Sequence, residues 1–280
     1  IWPTERPRRP NIVYGAPAGI ELGRGRVEVK KACRQGTGSG VEITSTHPAG
    51  GRLERRATSD GRVGDPASSI EYHPAMALTN LGILISGRGS NMQSIVAACE
   101  AGEVPAEVAL VVSNVADAPG VEWARGNGIA TAVLSHKNFA DRESHDRAVV
   151  EVLQNAGVEW VCLAGYMRLL SQAFLDAYPN RVLNIHPALL PAFPGLHAQD
   201  QAWEWGVKVS GCTVHLVDLE LDHGPIVVQR AVPVLESDDA DALSARILEQ
   251  EHRAYPEALR RLLKDRWRIE GRAVRFAGQD

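Results

Sequence analysis

The sequence predicts an α/β protein built on an open, mostly parallel sheet flanked by helices, and three patterns carry that expectation. The first is a series of five apolar runs of strand length: LGILIS (81–86), EVALVVS (107–113), IATAVLS (129–135), EWVCLAG (159–165) and RVLNIH (181–186). Each is followed by a helix-like stretch or a turn, and strands joined by helical crossovers lie parallel. The second is helical spacing over 141–156, where Ala148, Val149, Val152 and Leu153 follow the acidic start Asp141. The third is a change after residue 209 to two β-rich runs, SGCTVHLVDLEL and PIVVQRAVPVL, joined by Asp222-His223-Gly224-Pro225. So short a turn predicts an antiparallel or mixed end to the sheet. A helix over 240–263 closes the regular pattern.

Composition divides the chain. Residues 1–75 hold 12 Lys and Arg against 8 Asp and Glu, with 11 Gly and 7 Pro, whereas 76–280 hold 18 basic against 26 acidic residues. The first segment lacks apolar periodicity long enough to build a core, so a disordered N-terminal extension is expected. It has no apolar stretch of the secretory type and too many acids for a typical transit peptide. Two readings stand for it: an upstream stretch outside the working protein, which then starts at Met76, or a real but floppy tail. The expected organisation is an extension over 1–75, a folded domain over 76–265 and a C-terminal tail over 266–280.

Across the whole chain, 44% hydrophobic residues suffice for a sizeable core. A net charge of -4 and a pI near 6.2 give no electrostatic footprint for nucleic acid. The apolar runs fall short of the roughly 18 to 20 residues that span a bilayer. Small molecules are therefore the expected partners, and monomer and homodimer are both open. Cys33, Cys99, Cys162 and Cys212 are widely spaced singletons, which argues against a disulfide scaffold and for a reducing cytoplasm. His145, His197, His215, His223 and His252 show no metal-ligand spacing, and no metal is assigned.

Two stretches carry chemistry. Ser86-Gly87-Arg88-Gly89-Ser90-Asn91 lies between the first strand and a helix, where glycines let a ligand approach backbone N–H groups at the helix start. It matches neither GxGxxG nor a Walker motif, so a phosphate monoester is expected rather than a dinucleotide. A plain βα turn with a Ser or Asn cap is the other reading. In NIHPALLPAFPG (184–195), Asn184 and His186 leave the strand on one side, and Pro187 and Pro191 stop the ladder. An amide beside an imidazole offers two donors to an oxygen that becomes negative, as acyl or formyl transfer requires; a satisfied structural Asn-X-His at a strand end is the other reading. Ser, Cys and Thr are absent from 182–195, which favours direct transfer over a covalent intermediate. Asp222, in the later turn, is placed to favour protonated His186 if the two meet, and is otherwise an ordinary turn residue. Glu251 interrupts the stripe Leu243, Ile247, Tyr255, Leu259, either as a ligand for hydroxyls or an amine or as a stripe-edge residue reaching solvent. Arg142, near a helix start, is a binder of an acidic group or a surface ion-pair partner.

Taken in order, SGRGSN (86–91), LAGYMRLLS (163–171), NIHPALLPAFPGLH (184–197) and the stretch from GCTVHLVD to LDHGPIVVQ resemble the phosphoribosylglycinamide formyltransferase family of purine biosynthesis over 79–265. The resemblance implies a Rossmann-like formyltransferase fold, with 10-formyltetrahydrofolate as co-substrate and 5'-phosphoribosylglycinamide as acceptor. It implies that Gly89, Ser90 and Asn91 hold the substrate phosphate and that Glu251 meets the ribose end. Met167, Arg168, Leu169 and Leu170 would line the folate pocket, largely through their backbone, with Arg142 on the same side. Asn184 would bind the formyl oxygen, His186 would stabilise and protonate the tetrahedral species, and Asp222 would hold the imidazole cationic. The related formyltetrahydrofolate deformylases carry a regulatory domain in front and lack the phosphate loop. Methionyl-tRNA formyltransferases need a further RNA-binding domain. A non-catalytic folate or phosphosugar binding module would need neither His186 nor Asp222.

Overall fold

The computed structural model describes residues 71, 72 and 77–278. The extension expected over 1–75 lies outside the described residues except for residues 71 and 72, and Met76 and Cys33 lie outside them as well.

The expected alternation is present as β2 (Thr79–Ile85), α1 (Ser90–Glu100), β3 (Ala106–Ser113), α2 (Pro119–Gly126), β4 (Thr131–Val133), α3 (Arg142–Asn155), β5 (Trp160–Leu163), α4 (Gln172–Ala177) and β6 (Val182–His186). There follow α5 (Ala198–Trp205), β7 (Val209–Leu216), β8 (Ile226–Pro233) and α6 (Ala240–Lys264). Strands β2 to β6 pair in parallel, while β7 runs antiparallel to both β6 and β8. The sheet is thus mixed at the end where the pattern changes.

Alternation along each strand feeds two cores. Leu81, Ile83 and Ile85 of β2, Cys162 of β5 and Leu183 and Ile185 of β6 point to the layer of α1, α2, α5 and α6. Leu84, Val161, Leu163 and Val182 point to α3 and α4, where Val149, Leu153 and Phe174 meet them. By the same period of two, Asn184 and His186 share the face of Val182. Gly82 lets α3 approach this face closely, since a Cβ there would lie 2.5 Å from Leu153 Cδ2. Helix α3 begins on a capping box, Asp141 Oδ1 accepting from Ser144 N at 2.7 Å. In α6, Tyr255 is fully buried, with its hydroxyl 2.8 Å from Leu183 O and 3.0 Å from Leu163 O. That contact locks the helix register against β5 and β6 and sets Glu251, one turn earlier, on the same inward face.

Both ends of the folded unit extend beyond the expected boundaries. The segment expected as a tail, 266–280, contributes β9 (Trp267–Glu270) and β10 (Ala273–Phe276), with β10 parallel to β8 through Ala273 and Ile226. The cause is apolar burial: Trp267 and Phe276 join the core, Trp267 Nε1 donates to Leu262 O at 2.9 Å, and the Arg261 guanidinium lies 3.9 Å over the Phe276 ring. Ahead of residue 76, β1 (Glu71–Tyr72) pairs antiparallel with β9. The Tyr72 ring stacks on Trp267 at 3.9 Å, and its hydroxyl accepts from Asn180 Nδ2 at 2.8 Å. A chain shortened to begin at residue 76 keeps both cores and is expected to fold and turn over. It should be less stable than one beginning at residue 70 by about 1–3 kcal/mol, the worth of an aromatic pair plus a hydrogen bond. Urea unfolding of the two chains measures the difference, and equal midpoints would make β1 dispensable.

Candidate active site

The anion loop forms as its glycines require. Gly89 caps α1 at φ 71° and ψ 32°, a left-handed conformation, and no side chain caps the helix. The loop leans on the start of α2: Gly120 N donates to Gly87 O at 3.1 Å, and a Cβ on Gly120 would lie 2.9 Å from that same oxygen. The first-turn N–H groups of Ser90 and Asn91 are therefore presented without an acidic side chain in the turn.

Asn91 and Glu251, 160 residues apart, meet: Asn91 Nδ2 donates to Glu251 Oε2 at 2.7 Å, both side chains being buried. Asn91 Oδ1 is enclosed without a hydrogen-bond partner. Burial raises the Glu251 carboxyl above its ordinary 4.5, with the Asn91 hydrogen bond opposing. A carboxyl whose folded value exceeds its unfolded one stabilises the fold at low pH and loses that contribution as pH climbs from 4.5 through the raised value. Stability of the ligand-free protein should fall across that window, and Glu251→Gln should flatten the fall. Denaturation midpoints at a series of pH values check this, and an unchanged slope in the variant would assign the effect to another group.

The second cluster is built on β6 and β7. Antiparallel register sets Asn184 opposite His215 and His186 opposite Thr213. His215 Nδ1 lies 2.9 Å from Leu216 O, so that nitrogen carries the proton and Nε2 accepts from Asn184 Nδ2 at 3.2 Å. Burial lowers the His215 imidazole below its ordinary 6.5, with the Leu216 carbonyl and Asp222 working the other way. A neutral ring is what this hydrogen bond needs. The second N–H of Asn184 has only a 3.5 Å contact, to Asp222 Oδ1, and is the donor left for a ligand oxygen.

His186 and Asp222, 36 residues apart, also meet, with Nδ1 3.2 Å from Oδ2 and both side chains nearly enclosed. His186 Nε2 lies 2.7 Å from Phe193 O. Carboxylate and carbonyl only accept, so both contacts are hydrogen bonds when each ring nitrogen carries a proton. Asp222 is at φ 51°, and Oδ2 also accepts from Gly195 N at 2.8 Å. Gly224 keeps this turn pressed to the sheet, since a Cβ there would fall 1.8 Å from Leu216 O.

The segment 164–171 joins β5 to α4. Met167 and Leu169 are 67% and 50% exposed, Arg168 is half-buried, and Leu170 is buried in the α3/α4 core. Leu170 thus offers a ligand its backbone rather than its side chain. Arg142 stands exposed at the first position of α3. Sequence reasoning missed His215, Phe193 O and Gly195 N, together with Ser86, whose Oγ accepts from Met167 N at 2.9 Å. His215 had one signal, its place in an alternating strand; the backbone groups had none.

A donor amide and a carboxylate-paired imidazole on a mostly parallel sheet are the equipment of a protein that transfers an acyl or formyl group. Comparison with known proteins narrows the class. Residues 79–259 match the formyl transferase family, and the chain belongs to that family. It is 44% identical over 200 residues to phosphoribosylglycinamide formyltransferase of Escherichia coli, covering 71% of this chain and 94% of that one. It is 50% identical over 179 residues to the trifunctional purine biosynthetic protein adenosine-3 of Drosophila pseudoobscura pseudoobscura, of which it spans only 13%. The solved glycinamide ribonucleotide transformylase 1 of Symbiobacterium toebii superposes with a TM-score of 0.70 at 53% identity, covering 71% of this chain and 94% of that one. Among the described residues no helix is long and apolar enough to cross a membrane.

Proposed function

We propose that the chain transfers the formyl group of 10-formyltetrahydrofolate to the amine of 5'-phosphoribosylglycinamide, a step of purine biosynthesis. The pairing of His186 with Asp222 beside Asn184 is the observation that carries this reading. The α1 start, with Gly89, Ser90 and Asn91, suits the phosphate, and Glu251 suits the ribose hydroxyls. The backbone of Met167, Arg168, Leu169 and Leu170 suits the pterin, with Arg142 on the folate side.

In this reading the amine nitrogen bonds to the formyl carbon and the formyl oxygen takes up negative charge. The free N–H of Asn184 and the Nε2–H of His186, released from Phe193 O, meet that oxygen. The bond from carbon to the folate nitrogen then breaks; the proton lost by the amine is balanced by one gained at that nitrogen. Asp222 keeps His186 cationic throughout, and neutral His215 keeps the Asn184 amide turned the right way.

Incubation with 10-formyltetrahydrofolate, with and without phosphoribosylglycinamide, tests the proposal. Release of tetrahydrofolate should require the amine. Release at the same rate without it would make the protein a hydrolase, and no release in either case would leave a binding module.

A further inference from the structure

The segment 164–171 has no helix or strand of its own, yet side chains outside the transfer chemistry pin it near both ends. Near its start, Met167 N donates to Ser86 Oγ at 2.9 Å, and that hydroxyl donates to Asn114 Oδ1 at 2.6 Å. At its end, Ser171 N donates to Asp146 Oδ2 at 2.6 Å. Asp146 and its neighbour His145 sit on the inner side of α3, each side chain 1% exposed.

His145 has an acceptor at each ring nitrogen, Leu134 O at 3.0 Å from Nε2 and Asp146 Oδ1 at 3.3 Å from Nδ1. Both contacts are hydrogen bonds when both nitrogens carry protons, and the imidazole and carboxylate form one enclosed polar pair. Replacing both members of a buried hydrogen-bonded pair by apolar groups is commonly near neutral for stability, so stability alone does not account for it. Its geometry does more: one carboxylate ties the exit of β4, through His145, to the backbone where the segment enters α4. Between the two pins the Met167 and Leu169 side chains remain exposed.

We propose that Asp146 is a positioning residue for the formyl donor: by holding Ser171 it sets the backbone of residues 167–170 in the form the folate ring docks against. This rests on the reading that these residues receive the folate. That reading has its own check, since adding 10-formyltetrahydrofolate should shift the amide NMR signals of Met167, Arg168, Leu169 and Leu170. Unshifted signals would overturn the docking reading itself.

Three variants of the full chain then test Asp146. Asp146→Ala removes the tether and should raise KM for 10-formyltetrahydrofolate about tenfold or more, the scale of a lost charge-assisted hydrogen bond. KM for phosphoribosylglycinamide and kcat at saturating folate should stay within about twofold. Asp146→Asn should bring the folate KM back to within about twofold of the parent, because the amide oxygen accepts from Ser171 N while the amide nitrogen donates to Nδ1 of a neutral His145. Ser171→Pro deletes the tethering N–H, along with a hydroxyl that makes no hydrogen bond, at a residue with φ -84°, close to the range proline adopts, and keeps the test alive if Asp146→Ala fails to fold. It should reproduce the folate-side loss. Shifted amides combined with an unchanged folate KM in Asp146→Ala and Ser171→Pro, or with an equal rise in both KM values, would overturn the positioning role. So would an Asn variant as impaired as the Ala variant.

Discussion

Asp222→Asn is expected to lower turnover by about a hundredfold or more, the range seen when one oxyanion-stabilising element is lost, while both KM values change little. The structure makes this mainly a test of charge, since the shape of the side chain is kept. Asp222 Oδ2 accepts from Gly195 N and faces His186 Nδ1, and an amide oxygen in its place keeps both contacts, while the amide nitrogen replaces Oδ1, 3.5 Å from Asn184 Nδ2 and 3.8 Å from the acceptor His215 Nε2. The loop 190–195 and the Asp222 turn should stay where they are. What disappears is the negative charge that holds a proton on each nitrogen of His186. Without it the ring lacks the partner that favours a proton on both nitrogens, and donation from Nε2 is weakened. Nitrogen-15 NMR of the ring reads this directly, as a change in the protonation of its nitrogens between parent and variant. Unchanged turnover with an unchanged ring would return Asp222 to the status of a turn residue.

Gly89→Val should weaken binding of the phosphate-bearing amine by about 10- to 100-fold, the equivalent of one charge-assisted hydrogen bond or two, and leave folate binding intact. Two effects combine. At φ 71° a branched residue is strained by roughly 1–2 kcal/mol. Its Cβ would also lie 2.9 Å from Met92 Cε, a flexible end that can yield, and 3.5 Å from the Gly120 Cα, which is backbone and yields less. The turn must therefore shift, and with it the N–H groups at the start of α1. Separate titrations of phosphoribosylglycinamide and 10-formyltetrahydrofolate distinguish the outcomes. Equal losses for both would make the loop an element of the fold alone.

Much of the site was legible because its signals are local. Strand runs and turns placed Asn184 and His186 two apart at the end of β6, and a period of two puts such residues on one face whatever surrounds them. Glu251 stood out as a carboxylate inside an apolar stripe, which is a property of the helix itself. Its partner Asn91 was singled out for a different reason, as part of the loop at the α1 start. Nothing in either segment predicts that they share a hydrogen bond. The C-terminal strands were missed because two four-residue strands around Gly271 carry too few residues to outweigh the charges of Arg266, Arg268, Glu270, Arg272 and Arg275. Their apolar members, Trp267 and Phe276, find partners only in α6 and the sheet.

By itself, then, the sequence determined the order of elements, the parallel body of the sheet and its antiparallel end, and the residue types offered at each strand end. Period, spacing and turn chemistry act over a few residues and survive in any tertiary context. Only the tertiary structure decided which offers were taken up. Antiparallel register brought His215 opposite Asn184, and the close approach at Gly224 seated Asp222 against His186. A hydrogen bond 25 residues long in sequence fixed Ser171 to Asp146. Each of these depends on distances of about 3 Å between groups far apart in the chain, and hydrogen bonds fade steeply beyond that separation. Such distances are set by the packing of whole layers, which no local stretch of residues encodes.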